Sequence, residues 1–168
     1  EIGALAEVRN KDVFELQKGI DRIAFELANT VNSIHRKGFV NRPIRRNEDG
    51  KFATSDHLGK LTGVNFFKTP TKVDGAAANL AISDYITENP NNIATAAEPN
   101  KPGDNRVAIA ISKLQHEKIA GQGDTSLEEE YLQMIGKIGL EKGKSQLSLT
   151  QSEALKAQAL QIREQYSG

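Results

Sequence analysis

The stretch KDVFELQKGIDRIAFELANTVNSIHRKG, Lys11 to Gly38, decides how the rest of the chain is read. Its apolar residues fall at Val13, Leu16, Ile20, Ile23, Leu27, Val31 and Ile34, in steps of 3, 4, 3, 4, 4 and 3. That spacing predicts one helix with an apolar stripe close to a heptad seam. Asn10 or Asp12 is placed to cap its start. Arg36 and Lys37 complement the helix dipole in the last turn. Gly38 then stands where a left-handed C′ residue is wanted, so His35 is read as part of a helix end.

Working outward, residues 39–105 have a different chemistry. NEDG, KVDG, ENPNN and EPNKPGDN are turn sequences, and all five prolines lie here. Short extended pieces are predicted at Phe39–Ile44, Lys51–Thr54 and Val64–Val73, with a hairpin across Asp49-Gly50. The region as a whole is expected to be irregular, with small helical turns.

Helix returns near Asp104, with Val107, Ile111, Leu114 and Lys118 on one face, and GQGD ends it at Gly121–Asp124. Thr125 with Glu128 predicts a capping box for the next helix, and Glu128, Glu129 and Glu130 suit its positive N-terminal end. No proline follows up to Tyr166. One continuous helix there is roughly 60 Å long at about 1.5 Å per residue. Gly136, Gly139 and Gly143 interrupt it at about 1 kcal/mol each, so a close neighbouring backbone or a bend is expected. Its later seam of Leu149, Ser152, Leu155, Ala159, Ile162 and Tyr166 is narrow and fits a partner helix.

The 168 residues carry 22 basic and 22 acidic side chains, which argues against a nucleic-acid binder. No apolar run is long enough to span a membrane. The absence of cysteine removes disulfides and thiolate chemistry, and no secretory signal opens the chain. Beginning with Glu, it is read as a piece of a longer protein. Charge is nonetheless segregated. Arg36, Lys37, Arg42, Arg45, Arg46 and Lys51 face only Glu48 and Asp49 in their stretch, whereas Glu117–Glu130 is acidic. Arg42, Arg45, Arg46, Glu128, Glu129 and Glu130 therefore form a candidate subunit-contact patch. GQGDTS lacks the lysine of a phosphate loop. His35, His57 and His116 are too far apart in sequence to make a metal motif, and a metal-binding or enzymatic helical domain built on them is the second reading.

Several motifs, in order, carry a resemblance. The opening segment with its VN..H..G ending, NFF (Asn65–Phe67), NLAISDYITENPNNIATA, GDNRVAIAISKLQ, YLQMIGKIGLEKGKSQ and REQYSG together resemble the first flagellar hook-associated protein family. That family forms the hook–filament junction of bacterial flagella. The likeness runs over nearly the whole chain and implies that Asn32, His35 and Gly38 build a structural helix end. Family members often carry large β-rich insertions where this chain is short, and Gln165 stands where they tend to have serine. Their terminal coiled-coil segments for polymerisation lie outside this sequence.

The fold expected is mainly α, with long antiparallel helices forming a rod-like bundle and an irregular middle lobe holding a short β-hairpin. Residues 1–38 form the first long helix, 39–103 the lobe and 104–168 the returning helices. The resemblance implies an extracellular structural protein, exported without a cleaved signal. Its partners would be the hook protein, the next junction protein and copies of itself. No enzyme activity, cofactor, metal, nucleic acid or membrane partner is expected.

Overall fold

A computed structural model describes the backbone of residues 2–167 and the side chains of residues 11–121 and 123–166. The fold is mainly α. Helix α1 spans Ile2–His35, α2 Asp84–Glu88, α3 Arg106–Lys113 and α4 Leu127–Ser167. Strand β1 (Phe39–Val40) pairs antiparallel with β4 (Ala94–Ala96), and β2 (Ser55–Asp56) with β3 (Gly59–Lys60). The chain forms two units, residues 1–131 and 132–168.

Helix α1 begins well before the expected caps, so Asn10 and Asp12 lie inside it. Its buried face also differs from the expected one. Asp21, Ala24, Ala28, Val31, Asn32 and His35 are buried, while Val13, Phe14 and Ile20 on or beside the apolar seam are exposed. At about 100° per residue the buried face lies roughly a quarter turn from the seam. The physical reason is the identity of the covering layer. A loop-rich lobe offers unpaired backbone groups, and these need polar side chains and small neighbours rather than leucines.

The lobe has a small core of Val40, Ile44 and Leu61, covered by Phe39, Phe52 and Ala53. The chain does turn back across Asp49-Gly50, but with only a single bridge between Arg46 and Phe52. The two-residue ladder lies farther on, at Ser55–Asp56 and Gly59–Lys60. Asn100, with a left-handed φ of 58°, replaces a strand partner: it receives the Ile44 N–H at 2.7 Å and donates to the Ile44 carbonyl at 2.8 Å. Strand β4 was not expected. Its Ala-Thr-Ala sequence has little strand preference and is extended because β1 supplies its partner groups.

Gly38 is not left-handed, contrary to expectation. The Asn32, Ile34 and His35 carbonyls at the end of α1 accept the N–H groups of Arg36, Lys37 and Gly38, each at 3.0 Å, and the carbonyls just beyond the helix are satisfied by the chain that returns across them. Gly63 N–H donates to the Arg36 carbonyl at 3.1 Å, and the Thr62 hydroxyl to the Gly38 carbonyl at 2.7 Å. Gly38 is needed because a Cβ there would lie 3.1 Å from the Ala94 Cβ, the Ala94 carbonyl oxygen and a Val107 methyl. Gly38→Ala is expected to destabilise the domain by about 1–3 kcal/mol through overpacking, measured by urea unfolding. A variant as stable as the parent would show that β4 and α3 yield freely.

The N-terminus of α4 is capped one residue later than expected. Ser126 Oγ accepts the Glu129 N–H at 3.1 Å, and Glu129 returns a carboxylate to the Ser126 N–H at 2.8 Å. Thr125 instead bridges back to Ala120. Helix α4 runs unbroken through Gly136, Gly139 and Gly143, and nothing lies within 4 Å of a Cβ at any of them. Among the described residues, no helix is long and apolar enough to cross a membrane.

Candidate functional site

Three polar side chains on the buried face of α1 hold the backbone of the lobe. Asp21 comes first along the helix and accepts N–H groups from Gly75 and Ala77, each at 2.9 Å. Asn32, three turns on, makes a two-way contact with Phe67. It accepts the Phe67 N–H at 2.8 Å and donates to the Phe67 carbonyl at 3.0 Å. His35 closes the end of the helix. Its Nδ1–H donates to the Val64 carbonyl at 2.7 Å, and Nε2 accepts the Ala94 N–H at 2.9 Å. Ala24 and Ala28 lie between the pegs and let the lobe backbone approach closely.

These contacts fix the chemistry of His35. One ring nitrogen must donate and the other accept, so the ring is the neutral Nδ1–H tautomer. It is fully buried, with the Phe66 ring edge-on at 5.6 Å. Burial holds its pKa below the ordinary histidine value, against a smaller opposing effect of the Val64 carbonyl. Neither nitrogen is free for a ligand. His57 and His116 are exposed, and among the described residues no group of three metal-binding side chains comes together.

No protein-family model matches the chain, and no curated protein matches it either.

The charged patch is divided by the fold. Arg42 is largely buried and forked onto Asp56 at 3.0 and 3.2 Å, with Asn92 Oδ1 at 2.9 Å and the Lys60 carbonyl at 3.2 Å. It ties the β2–β3 hairpin to the turn after α2. Arg46 stacks over Phe52 at 4.2 Å and donates to the Gly50 carbonyl at 2.6 Å. Arg45 and Lys51 are exposed, with no ion pair among the described residues. On the acidic side Glu129 is consumed by the cap, and Glu130 pairs with Arg22 of α1 at 3.2 Å. Glu128 remains exposed. Beside the Arg22 pair, Glu26 and Glu130 each bury one carboxylate oxygen without a partner. Burial and then the Glu130 charge push the Glu26 carboxyl above its ordinary range, while Arg22 pulls the other way.

Asp104, in the GDN motif, was not singled out as a site residue but organises the turn before α3. It accepts the Ala97 and Glu98 N–H groups at 3.0 and 3.1 Å and pairs with Arg106 at 2.9 Å. The Arg106 guanidinium beside it, with the backbone N–H groups of Arg106, Glu98 and Ala97, holds its carboxyl far below the usual range. An open groove of about 250 Å³ lies nearby between Arg42, Pro43, Glu98 and Lys101. Its charges are already paired, Glu98 with both Lys101 and Arg106. Asp21 was not foreseen either. The signal for it was available: Asp21, Ala24, Ala28, Asn32 and His35 make a polar and small stripe beside the apolar one.

Proposed function

We propose that the chain is part of a structural subunit of the bacterial flagellum, acting at the hook–filament junction. One observation supports this most. The residues that carry the family resemblance meet at the end of α1: Asn32 and His35 of VN..H..G fasten the chain at Phe67, Val64 and Ala94, with Gly38 packed beneath Ala94. Their chemistry is that of a fastening, with every nitrogen of the buried imidazole committed to backbone. In this reading the lobe is a rigid block carried by helices. The long helices pack antiparallel as a rod in the assembled subunit, and the apolar side chains exposed on α1 and α4 are covered by neighbours. Val13, Phe14, Leu140, Leu155 and Tyr166 are more than half exposed and suit that role. The partners are the hook protein, the next junction protein and copies of the same subunit, all outside the cell after flagellar export.

The test is genetic. The full-length protein is expressed in a flagellated strain lacking its own first hook-associated protein, and filaments are counted by electron microscopy. Restored filaments support the reading; bare hooks in the presence of exported protein sink it. Within that assay the exposed cations have a defined role. Arg45→Glu with Lys51→Glu is expected to reduce filament number while shifting stability by no more than about 0.5 kcal/mol. Arg46 is left intact there because losing its stacking on Phe52 costs about 0.5–1 kcal/mol by itself. Undiminished filament number would remove the cationic edge from the contact surface.

A further inference from the structure

The three helix pegs are not equivalent. Asp21 and Asn32 hold the lobe at single turns, whereas His35 joins two separate segments, through Val64 and Ala94. We propose that His35 is an acid-sensitive fastener: a proton added at Nε2 breaks the bond from Ala94 and frees β4 from the end of α1, while the Val64 bond and the helices persist.

The geometry leaves the proton one place to go. Nδ1 already carries a hydrogen, committed to the Val64 carbonyl at 2.7 Å. Nε2 is the remaining base, and the Ala94 N–H points at it from 2.9 Å. Protonation turns an acceptor into a donor and sets two N–H groups against each other. It also places a cation where the side chain has no access to water.

The surroundings offer that cation no counter-charge. On α1 the neighbouring turn presents Asn32, which is uncharged and bonded to Phe67. Arg36 and Lys37 follow on the same helix and are exposed cations. The 61–67 segment presents the Val64 carbonyl and the Phe66 ring. Strand β4 presents the Ala94 N–H, and on α3, whose Val107 packs at Gly38, the cation Arg106 is tied to Glu98 and Asp104. Among the described residues no charged group contributes to the titration of the imidazole. Release of β4 uncovers Ala94 and its strand partner Val40, both buried in the closed form, so acid converts the end of α1 from a sealed surface to an apolar one.

The sign follows from linkage. Burial lowers the folded-state pKa below the unfolded value of about 6.5. The contribution of His35 is therefore intact above about pH 6.5 and is lost as pH falls through the folded value. Between the two values the opening equilibrium rises about tenfold per pH unit.

The experiment uses the whole chain with His57→Gln and His116→Gln, so that His35 is the sole histidine. Imidazole nitrogen resonances and amide exchange at Ala94 are followed together from pH 8 to pH 4. The expected result is a neutral Nδ1–H ring that persists below pH 6.5. Ala94 opening, corrected for intrinsic exchange, then rises about tenfold per pH unit while the closed-state ring is still neutral and levels off as Nε2 titrates, with the far-ultraviolet helix signal retained. Following the ring itself separates this event from protonation of Asp104, which also holds lobe backbone. Protonation of Nε2 with Ala94 still protected would overturn the proposal, as would a ring that titrates at the ordinary histidine value. His35→Gln, where it folds, is expected to lose the imidazole-linked step; where it does not, the measurement on the histidine-bearing chain decides alone.

Discussion

His35→Ala is expected to cost about 3–5 kcal/mol, the largest loss from any single side chain in the lobe contact. The figure has two sources. The Val64 carbonyl and the Ala94 N–H are left buried without partners, at about 1–3 kcal/mol each. A cavity also opens under Phe66, where the missing ring is fully buried. Domain stabilities are typically about 5–15 kcal/mol, so the change is a large share of the total. Urea unfolding of the parent and variant measures it, with aromatic signals reporting the lobe and far-ultraviolet circular dichroism the helices. His35→Phe separates the two sources. It refills most of the volume yet leaves both backbone groups orphaned, so most of the loss should remain. Full recovery in His35→Phe would mean that shape, not hydrogen bonding, holds the lobe.

The second large effect is at Asn32. Its amide serves Phe67 as a strand partner would, giving one donor and one acceptor. Asn32→Asp keeps the acceptor and replaces the donor with an oxygen facing the Phe67 carbonyl. The position is buried, so the expected cost is about 2–4 kcal/mol at neutral pH. The pH dependence identifies the cause. A carboxyl there is disfavoured in its charged form, so its folded pKa lies above the unfolded value. Stability is then recovered as pH falls and lost as pH rises through the folded value. Asn32→Ala lacks the titrating group and should show no such acid recovery relative to Asn32→Asp. Equal pH profiles for the two variants would count against the two-way contact.

Both side chains lie on a face of α1 that periodicity alone did not favour. The apolar stripe from Val13 to Ile34 located the helix, because a spacing of three and four is what a helix requires. It did not locate the buried surface. An apolar seam shows where a partner helix would bind, whereas α1 is covered here by turns whose bare N–H and C=O groups select Asp21, Asn32 and His35. The cap of α4 illustrates a smaller ambiguity. Thr125–Glu128 and Ser126–Glu129 both satisfy the same pattern, and only the backbone path at Ala120 consigns Thr125 to the preceding turn. Gly38 was assigned a backbone conformation when its requirement is space for Ala94, and nothing local to the sequence announces a neighbour from 56 residues away. Strand β4 is illegible for the same reason: Ala94–Ala96 is extended through its pairing with Phe39–Val40. Arg42 was read as a surface charge, but Asp56, Asn92 and the Lys60 carbonyl gather around it only after the hairpin forms.

The span between His35 and Ala94 also bears on biosynthesis. The two are 59 positions apart in the chain. At a translation rate of about 5–20 residues per second, Ala94 is made roughly 3–12 seconds after His35. Throughout that interval the nascent α1 terminus lacks its final strand partner. The lobe closes only after that delay, so a holdase has seconds, not milliseconds, in which to find an unsealed helix end.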